Sequence, residues 1–370
     1  VPREVLKKMG DLGMFGLRVP VEHGGLGLGM LASATFSEAL GASTFGGFDV
    51  SVLVHTDMAG PHLINSGTQE QLDHWLPGVL SGDTSLSIGV AEPDAGSDVA
   101  GMRTNAVRDG DGWRINGTKT YITNAVYGNM TIVAARTSTE NRYGITMFLV
   151  PAGTEGFSVA KKLDKHGCRC SDTAELVFDN VWVADDQVLG TVDRGFYETM
   201  RNFQNERMVL VGMGVGAAQV ALNQTLEHVQ NRPAFGGRLW DLGAIRQRLA
   251  MRQAELDAVR ASMYHAAWIG DVGEDNGREM SGVKAYGAEV VNNIMEGKIN
   301  STGEFTISSG TTELTVNDRR ASVNSIILLI ALGGDGSHNH PWIKSRSNGS
   351  FVVGSGNNGQ SHDFGYVIIG

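Results

Sequence analysis

The period of the hydrophobic pattern changes twice along this chain of 370 residues, and this change constrains the fold more than any other feature. In residues 1–87, apolar side chains recur every three or four positions, which places them on one face of an α-helix. In residues 88–190 the period becomes two, as in strands with one buried face. Beyond residue 190 the helical period returns. The sequence therefore predicts an α+β chain with a helical region, a compact β-domain and a second helical region.

The second helical region predicts a bundle, because three long apolar stripes follow one another at helical spacing. We expect Asn205 and Glu206 to open the first helix, and Arg232-Pro233 to end it. Gly212–Gly216 lies inside the first stripe, so we interpret it as small residues that permit close helix packing. The stripes consist of Met208, Val211, Val215, Ala218, Leu222, Leu226 and Val229; of Ile245, Leu249, Leu256, Val259 and Met263; and of Val283, Tyr286, Val290 and Ile294.

Residues 88–124 contain the densest cluster of turn residues, and we expect the ligand to bind there. Glu92–Asp98 combines proline, glycine and aspartate between apolar runs, which predicts a tight loop with little side-chain bulk, open to a flat or anionic group. Gly110-Asp111-Gly112 predicts a hairpin turn, and Asn116-Gly117 predicts a second turn before Lys119. Strand centres are predicted at Ile132-Val133, Met147–Val150 and Glu175–Phe178.

Composition excludes several classes of protein. A formal charge of −10 argues against a nucleic-acid partner, because binding to phosphates needs a basic face. The sequence contains no uninterrupted run of about 18 apolar residues, so it predicts no transmembrane helix. Cys168 and Cys170 are too few for a disulfide framework or a zinc site, so we expect free thiols and no metal. The first residues lack an apolar signal core, which predicts a soluble cytoplasmic or mitochondrial-matrix protein.

The motifs in residues 88–124 resemble those of the acyl-CoA dehydrogenase family. Residues 91–98, AEPDAGSD, are similar to its TEPxxGSD loop, and residues 116–124, NGTKTYITN, are similar to its NGxKxxITN segment. The resemblance implies an N-terminal helical domain at 1–87, a middle β-domain at 88–190 and a C-terminal helix bundle at 191–332. Residues 333–370 form a tail rich in glycine, serine and asparagine, which stays unassigned.

The resemblance implies α,β-dehydrogenation of an acyl-CoA thioester to the trans-2-enoyl-CoA. In this family FAD takes the β-hydrogen as hydride, and a glutamate removes the α-proton. That glutamate stands either before the Gly-Thr of a late YEGT motif or in a Glu-Arg pair that opens the long helix. Here Ser309 occupies the late position, and Glu206-Arg207 forms the pair. We therefore expect Glu206 to be the base, as in the long-chain and isovaleryl branches, with a pKa raised by burial. The alternative is a first-turn glutamate favoured by the helix dipole.

The resemblance also implies residues for FAD and substrate. Thr123 would bond the flavin ring near N5 and Tyr121 would flank it, whereas Ala91 replaces the usual threonine and removes a hydroxyl donor. Arg232 and Phe235 match an RxxFG motif that reaches the FAD of a neighbouring subunit. The full expected set is Val90, Ala91, Tyr121, Thr123, Arg232, Phe235, Thr311 and Glu313 for the cofactor, and Ser97, Arg207 and Ser309 for the substrate.

One family motif is missing, and it leaves alternatives open. The QxxGGxGY segment belongs near residues 299–306, where only Gly303 is equivalent; the resemblance is patchy beyond residue 298 and ends near residue 320. The family implies electron-transfer flavoprotein as redox partner and an oligomer, a dimer or homotetramer or a mixed assembly. The alternatives are an oxygen-using, acyl-CoA oxidase-like flavoenzyme and a non-catalytic scaffold subunit of a mixed oligomer.

Overall fold

A computed structural model describes residues 1–139, 143–295, 301–307, 313–317, 326–331, 342–347, 350–354 and 362–369. Side chains are described for residues 1–139, 143–295, 313–317, 343–347 and 350–353. The chain divides into two compact units, Val1–Val291 and Asn292–Gly370, and each is described by itself.

The first unit begins with five helices, and some of them share an apolar cluster with one face of a sheet. The five helices are α1 (Arg3–Asp11), α2 (Met30–Gly41), α3 (Gly46–Leu53), α4 (Gly60–Ser66) and α5 (Gln69–Ser81). A π-helical turn, Val54–Ala59, joins α3 to α4. Helix α5 begins with a capping box, in which the Thr68 hydroxyl accepts from the Gln71 N–H and the Gln71 side chain accepts from the Thr68 N–H. The helical region predicted for residues 1–87 is confirmed, and α5 continues through Pro77 to Ser81.

The middle of the first unit is an eight-stranded sheet in the order β6-β7-β3-β2-β4-β5-β8, with β1 paired to β4. Its strands are β1 (Leu86–Gly89), β2 (Asn105–Asp109), β3 (Gly112–Thr123), β4 (Met130–Arg136), β5 (Ile145–Pro151), β6 (Phe157–Lys162), β7 (Thr173–Ala184) and β8 (Val188–Leu189). Strands β4 and β5 are buried along almost their whole length, because helices cover one face and β3 and β7 contribute to a second apolar cluster.

The first predicted turn of the sheet is confirmed, and the second is wrong. Gly110 and Asp111 join β2 to β3, with Gly110 in the left-handed region. Asn116 and Gly117 lie inside β3, where its register with β7 shifts between Ile115 and Gly117. Gly117 has φ 147°, and a Cβ there would lie 2.5 Å from Thr104 Oγ1, so the glycine makes a bulge against Thr104.

Three helices follow the sheet: α6 (Gly195–Asn231), α7 (Gly243–Asp271) and α8 (Gly277–Met295), the last of which continues past Val291, where the first unit ends. Helix α6 begins at Gly195, well before the predicted start at Asn205. The glycines inside it permit close packing on α2, since a Cβ on Gly216 would lie 2.0 Å from the Glu38 carbonyl oxygen. Among the described helices, α6 alone is long and apolar enough to cross a bilayer, but it packs on α2 and α7 as a core helix does.

A short hairpin follows α6 and projects Phe235 into solvent. Its strands are β9 (Pro233–Ala234) and β10 (Gly237–Arg238). Helix α6 ends at Asn231, as predicted from Arg232-Pro233, because proline has no N–H to continue the helix.

The second unit contains two three-stranded antiparallel sheets within its described residues. One has the order β11-β16-β13 and the other β12-β15-β14. The strands are β11 (Ser301–Ile307), β12 (Glu313–Asn317), β13 (Ile326–Ala331), β14 (Trp342–Ser347), β15 (Ser350–Gly354) and β16 (His362–Ile369). In the predicted helical region 191–332, the last described helix therefore ends at Met295 and strands follow. The domain boundaries themselves stay predictions.

Candidate functional site

The loop after β1 is held by a buried ion pair between Lys119 of β3 and Glu92. Lys119 Nζ lies 2.8 Å from Glu92 Oε1 and donates to the Val90 carbonyl oxygen at 3.0 Å. The other side of the Glu92 carboxylate accepts the Arg103 N–H at 2.7 Å, and Oε1 also accepts the Thr104 N–H at 3.0 Å. The pair therefore fixes Val90 and both ends of the loop 92–104.

Burial and pairing oppose each other at this ion pair. Burial lowers the pKa of Lys119 to about 8, although Glu92 acts to raise it. Burial acts to raise the pKa of Glu92, but the charge of Lys119 and the two N–H donors outweigh it and hold the pKa below its ordinary value. Both groups are therefore charged at neutral pH, and each depends on the other to offset the cost of burying its charge.

The end of β3 holds Tyr121 and Thr123 in a strained backbone. Tyr121 has φ 59° and Asn124 has φ 65°, so left-handed residues flank Ile122-Thr123 on both sides. The buried Asn124 side chain donates to the carbonyl oxygens of Ser51 and Leu86 at 2.8 and 3.3 Å, which ties this end of β3 to α3 and β1. The Tyr121 side chain consequently points outward and is 72% exposed.

The residues around the end of β3 fit the flavin that the sequence resemblance implies. Tyr121 offers an exposed aromatic face, and Thr123 is a half-buried residue with a hydroxyl. The Ala91 carbonyl oxygen accepts the Thr120 N–H at 2.9 Å, so the small residues of the β1 end lie directly beside β3. A flat ring can therefore approach this surface without displacing a bulky side chain.

The hairpin after α6 presents the two residues of the RxxFG motif. Phe235 has φ 52° and its side chain is 90% exposed, while Arg232 is exposed just beyond the end of α6. Aromatic side chains and arginines are enriched where proteins meet partners. The hairpin is therefore available to a ligand or a second chain.

Glu206 lies on α6 in a desolvated, polar environment. Its Oε1 accepts the Asn202 side-chain N–H at 3.0 Å. Burial raises the pKa of Glu206 to about 7, and the charge of Asp57 adds to this effect, while Asn202 and Arg207 oppose it. A carboxyl group with this pKa exchanges its proton near neutral pH, as a general base must.

The π-helical turn Val54–Ala59 faces Glu206 and supplies a second carboxylate, Asp57, which is 2% exposed. Asp57 Oδ2 accepts from the Thr56 hydroxyl at 2.7 Å, and its carbonyl oxygen accepts from Asn205 at 3.0 Å. His55, in the same turn, is a core residue and does not reach Glu206 through a described hydrogen bond. Its Nε2 donates to the Val79 carbonyl and its Nδ1 accepts the Leu86 N–H, and burial lowers its pKa to about 4.

The other site residues expected from the sequence lie in different parts of the chain. Ser97 lies exposed in the loop after β1, and Arg207 is exposed beside Glu206 on α6. Ser309 and Thr311 lie outside the described residues. Glu313 belongs to the second unit, where its carboxylate pairs with Lys344. The structure thus brings Glu206 together with Asn202 and Asp57, and neither belongs to the set of site residues expected from the sequence.

The alternation of buried and exposed positions in the sequence could have indicated the buried Lys119, but nothing in the sequence indicates that Asp57 lies near Glu206. Lys119 falls among the inward-facing positions of β3, so a buried charge that needs a partner was detectable there. The approach of Asp57 to Glu206 depends on the π-helical turn, and no periodicity in the sequence indicates that turn.

Comparisons with known proteins agree with this architecture. Family models for the N-terminal, middle and C-terminal domains of acyl-CoA dehydrogenase match residues 1–83, 87–181 and 193–318. Isovaleryl-CoA dehydrogenase, mitochondrial, from Solanum tuberosum is 37% identical over 284 residues, 76% of this chain and 69% of the relative. Long-chain specific acyl-CoA dehydrogenase, mitochondrial, from Rattus norvegicus is 33% identical over 297 residues, 80% of this chain and 69% of the relative. The crystal structure of acyl-CoA dehydrogenase from Geobacillus kaustophilus superposes with a TM-score of 0.77 at 32% identity, covering 81% of this chain and 79% of that one.

Proposed function

The chain belongs to the acyl-CoA dehydrogenase family, and we propose that it dehydrogenates an acyl-CoA thioester to the trans-2-enoyl-CoA with Glu206 as the catalytic base. Membership makes it a flavoprotein oxidoreductase whose cofactor is FAD. The observation that supports the base is the environment of Glu206, where burial and the neighbouring Asp57 raise its pKa to about 7.

Glu206 has the properties that α-proton removal requires. The α-proton of a thioester is only weakly acidic. The carboxylate that removes it must therefore be shielded from water, oriented toward the α-carbon and largely deprotonated at working pH. Asn202 holds one carboxylate oxygen of Glu206 at 3.0 Å, which leaves the other oxygen to accept the proton. The same Asn202 amide lies 2.9 Å from the Met58 carbonyl oxygen, so the orientation of Glu206 is set by the turn it faces.

We assign the cofactor to the surface formed by the end of β3 and the end of β1. Bound FAD would supply the acceptor for the β-hydrogen as hydride. Thr123 would donate to the ring, Tyr121 would cover one side of it, and Val90 and Ala91 would contribute main chain. Arg232 would offer a fork of donors to a pyrophosphate, and Phe235 would pack against an apolar part of the cofactor.

Arg232 and Phe235 also support an oligomer. Because both are exposed on a hairpin, we propose that they contact the FAD of a neighbouring subunit in a dimer or a tetramer. The same proposal assigns Ser97, Arg207 and Ser309 to the substrate and Thr311 and Glu313 to the cofactor. We further propose electron-transfer flavoprotein as the oxidant, and the mitochondrial matrix or a bacterial cytoplasm as the location, since the relatives from Solanum tuberosum and Rattus norvegicus are mitochondrial.

Replacement of Glu206 by Gln tests the assignment of the base. The variant should retain FAD and lose turnover of acyl-CoA with an artificial electron acceptor, because glutamine cannot take the proton. Glu227→Gln is a matched control, since Glu227 is exposed on the same helix and should leave turnover unchanged. Unchanged turnover in Glu206→Gln would remove Glu206 as the base. Steady peroxide formation without an acceptor would identify the oxygen-using alternative, and a wild-type chain that takes up no FAD would support the scaffold alternative.

A further inference from the structure

A cavity lies at the junction of α4, α6 and the loop between α7 and α8, beside the candidate active site. Its volume is about 770 Å³, within the range of small-molecule sites. Helix α6 contributes one continuous face through Glu198, Arg201, Asn202 and Asn205, whose spacing of three and four residues places them in a row. Opposite this face lie Arg18, His62, Asn65, Ser66 and Asn276, among others.

Buried polar atoms without a partner are concentrated at this cavity. In the part of the chain that the structure describes, four buried side-chain atoms make no hydrogen bond: Arg18 Nη1, His62 Nε2, Glu198 Oε2 and Asn205 Oδ1. All four side chains line the cavity, and those of His62 and Asn205 are only 2% and 5% exposed. A buried polar atom left unpaired costs roughly 1–3 kcal/mol, so four around one cavity indicate a site completed by a bound molecule.

The unpaired atoms define the chemistry of that molecule. Asn205 Oδ1 and the carboxylate form of Glu198 Oε2 accept, so they require a group with N–H or O–H bonds, whereas Arg18 Nη1 requires an acceptor. Burial raises the pKa of Glu198, against the effects of Ser66 and Arg201, so a cationic donor would be favoured beside its carboxylate. Burial lowers the pKa of His62 to about 4, so its imidazole is neutral at pH 7 and adds no charge.

The cavity is distinct from the candidate active site. Glu206 does not line it, and neither do Tyr121, Thr123, Val90 or Ala91. Helix geometry separates the two sites, because Asn205 and Glu206 are adjacent in sequence and point about 100° apart around α6. Two asparagines of α6 line the cavity and also reach the candidate site: the Asn202 side chain donates to Glu206, and the Asn205 side chain donates to Asp57.

We propose that this cavity binds a small zwitterion of the free amino acid class, with its ammonium group between Glu198 and Asn205 and its carboxylate on Arg18. The lining favours such a molecule over a purely anionic one, because Glu198, Glu274 and Asp275 stand beside the two arginines, Arg18 and Arg201. It also favours a small molecule over an apolar helix, because charged and amide side chains dominate the wall.

Titration calorimetry with the full chain in its FAD-loaded form tests the proposal directly. The probes are a panel of free amino acids, with acetate, methylammonium and glycerol as molecules that carry only part of the proposed chemistry. At least one amino acid should bind saturably and should bind about tenfold or more tightly than any of the three partial molecules. Absence of binding across the panel would overturn the proposal, as would equal binding of a partial molecule.

Variants locate the binding. Glu198→Gln and Arg18→Met should each weaken binding of that amino acid about tenfold or more, because each removes one charged end of the site. Glu227→Gln removes a carboxylate from an exposed position on the same helix and should leave binding unchanged. Far-ultraviolet circular dichroism verifies that each variant is folded, and His62→Gln provides a third cavity variant should one of them not fold. Binding that survives all the cavity variants would place the molecule elsewhere and contradict the proposal.

Discussion

The side-chain amide of Asn202 donates to Glu206 Oε1 at 3.0 Å and lies 2.9 Å from the carbonyl oxygen of Met58. It also lies 3.3 Å from the carbonyl oxygen of Asp57. A single NH₂ group therefore connects the candidate base on α6 to the π-helical turn opposite. Among the described side chains, Asn202 is the one that donates a hydrogen bond to Glu206, so the orientation of Glu206 depends on this connection.

Replacement of Asn202 by Ala should shift the pH dependence of turnover. The Asn202 hydrogen bond lowers the pKa of Glu206, so its loss should raise that pKa further above 7. Because the base acts as a carboxylate, the rising limb of kcat against pH should move to higher pH by about half a unit to one unit. Asn223→Ala, at an exposed position of the same helix, is the control. A limb that stays in place, or moves to lower pH, would show that Asn202 does not act through Glu206.

Glu206 should make the folded chain less stable at high pH than Glu206→Gln. Its pKa is about 7 when folded and 4.5 in the unfolded reference, so the folded state holds the proton more tightly. The resulting stability is fully present below pH 4.5 and is lost as the pH rises through about 7, up to roughly 3 kcal/mol. Glu206→Gln lacks this loss. Urea unfolding at pH 5 and pH 8 should show that the free energy of unfolding of the variant, relative to that of the wild type, is higher at pH 8 than at pH 5. The same difference between variant and wild type at both pH values would refute the raised pKa.

The ion pair between Lys119 and Glu92 should be costly to break from one side. Lys119→Met leaves the Glu92 carboxylate buried without its cation, which should lower the free energy of unfolding by about 3–5 kcal/mol. FAD affinity should fall with it, because Lys119 also holds the Val90 carbonyl. The double variant Lys119→Met with Glu92→Gln should recover part of the loss. The control is Lys7→Met, whose exposed pairing with Asp11 should have no measurable effect on stability. Equal effects of the two lysine variants would contradict the structural role of the buried pair.

Phe235 should matter to cofactor retention and assembly and not to folding of the chain. Its side chain is 90% exposed, so Phe235→Ala should change the free energy of unfolding by less than about 0.5 kcal/mol under conditions where the protein is monomeric. If the hairpin reaches the FAD of a neighbouring subunit, the same variant should weaken FAD binding and reduce the oligomer seen by light scattering. An unchanged oligomer with unchanged FAD content would remove the hairpin from the interface.

The sequence predicted the order of helical and β regions because periodicity is a local property that burial enforces. The predicted stripe from Met208 to Val229 lies in the observed helix α6. The predicted strand centres at Ile132, Met147 and Leu176 lie in the observed strands β4, β5 and β7. The Asn116-Gly117 turn was wrong because the same dipeptide suits a bulge, and only the contact with Thr104 decides between them.

Residues of the candidate site were predictable from the sequence only where they belong to a recognisable motif. Glu206 followed from the Glu-Arg pair, whereas Asn202 and Asp57 have no motif and depend on how α6 packs against a π-helical turn. Likewise, Arg18, His62 and Glu198 are distant in sequence, and only the folded chain shows that these side chains, each with an unpaired buried atom, line one cavity.

Anaerobic titration of the FAD-loaded protein with acyl-CoA thioesters, from short to long and branched, tests the central claim most directly. The wild type should lose its visible flavin absorption with at least one class of thioester, which also identifies the substrate. Glu206→Gln should keep that absorption with the same thioester, while Glu227→Gln behaves as the wild type. Loss of absorption in Glu206→Gln at the wild-type rate, or no loss in the wild type with any thioester, would contradict the account.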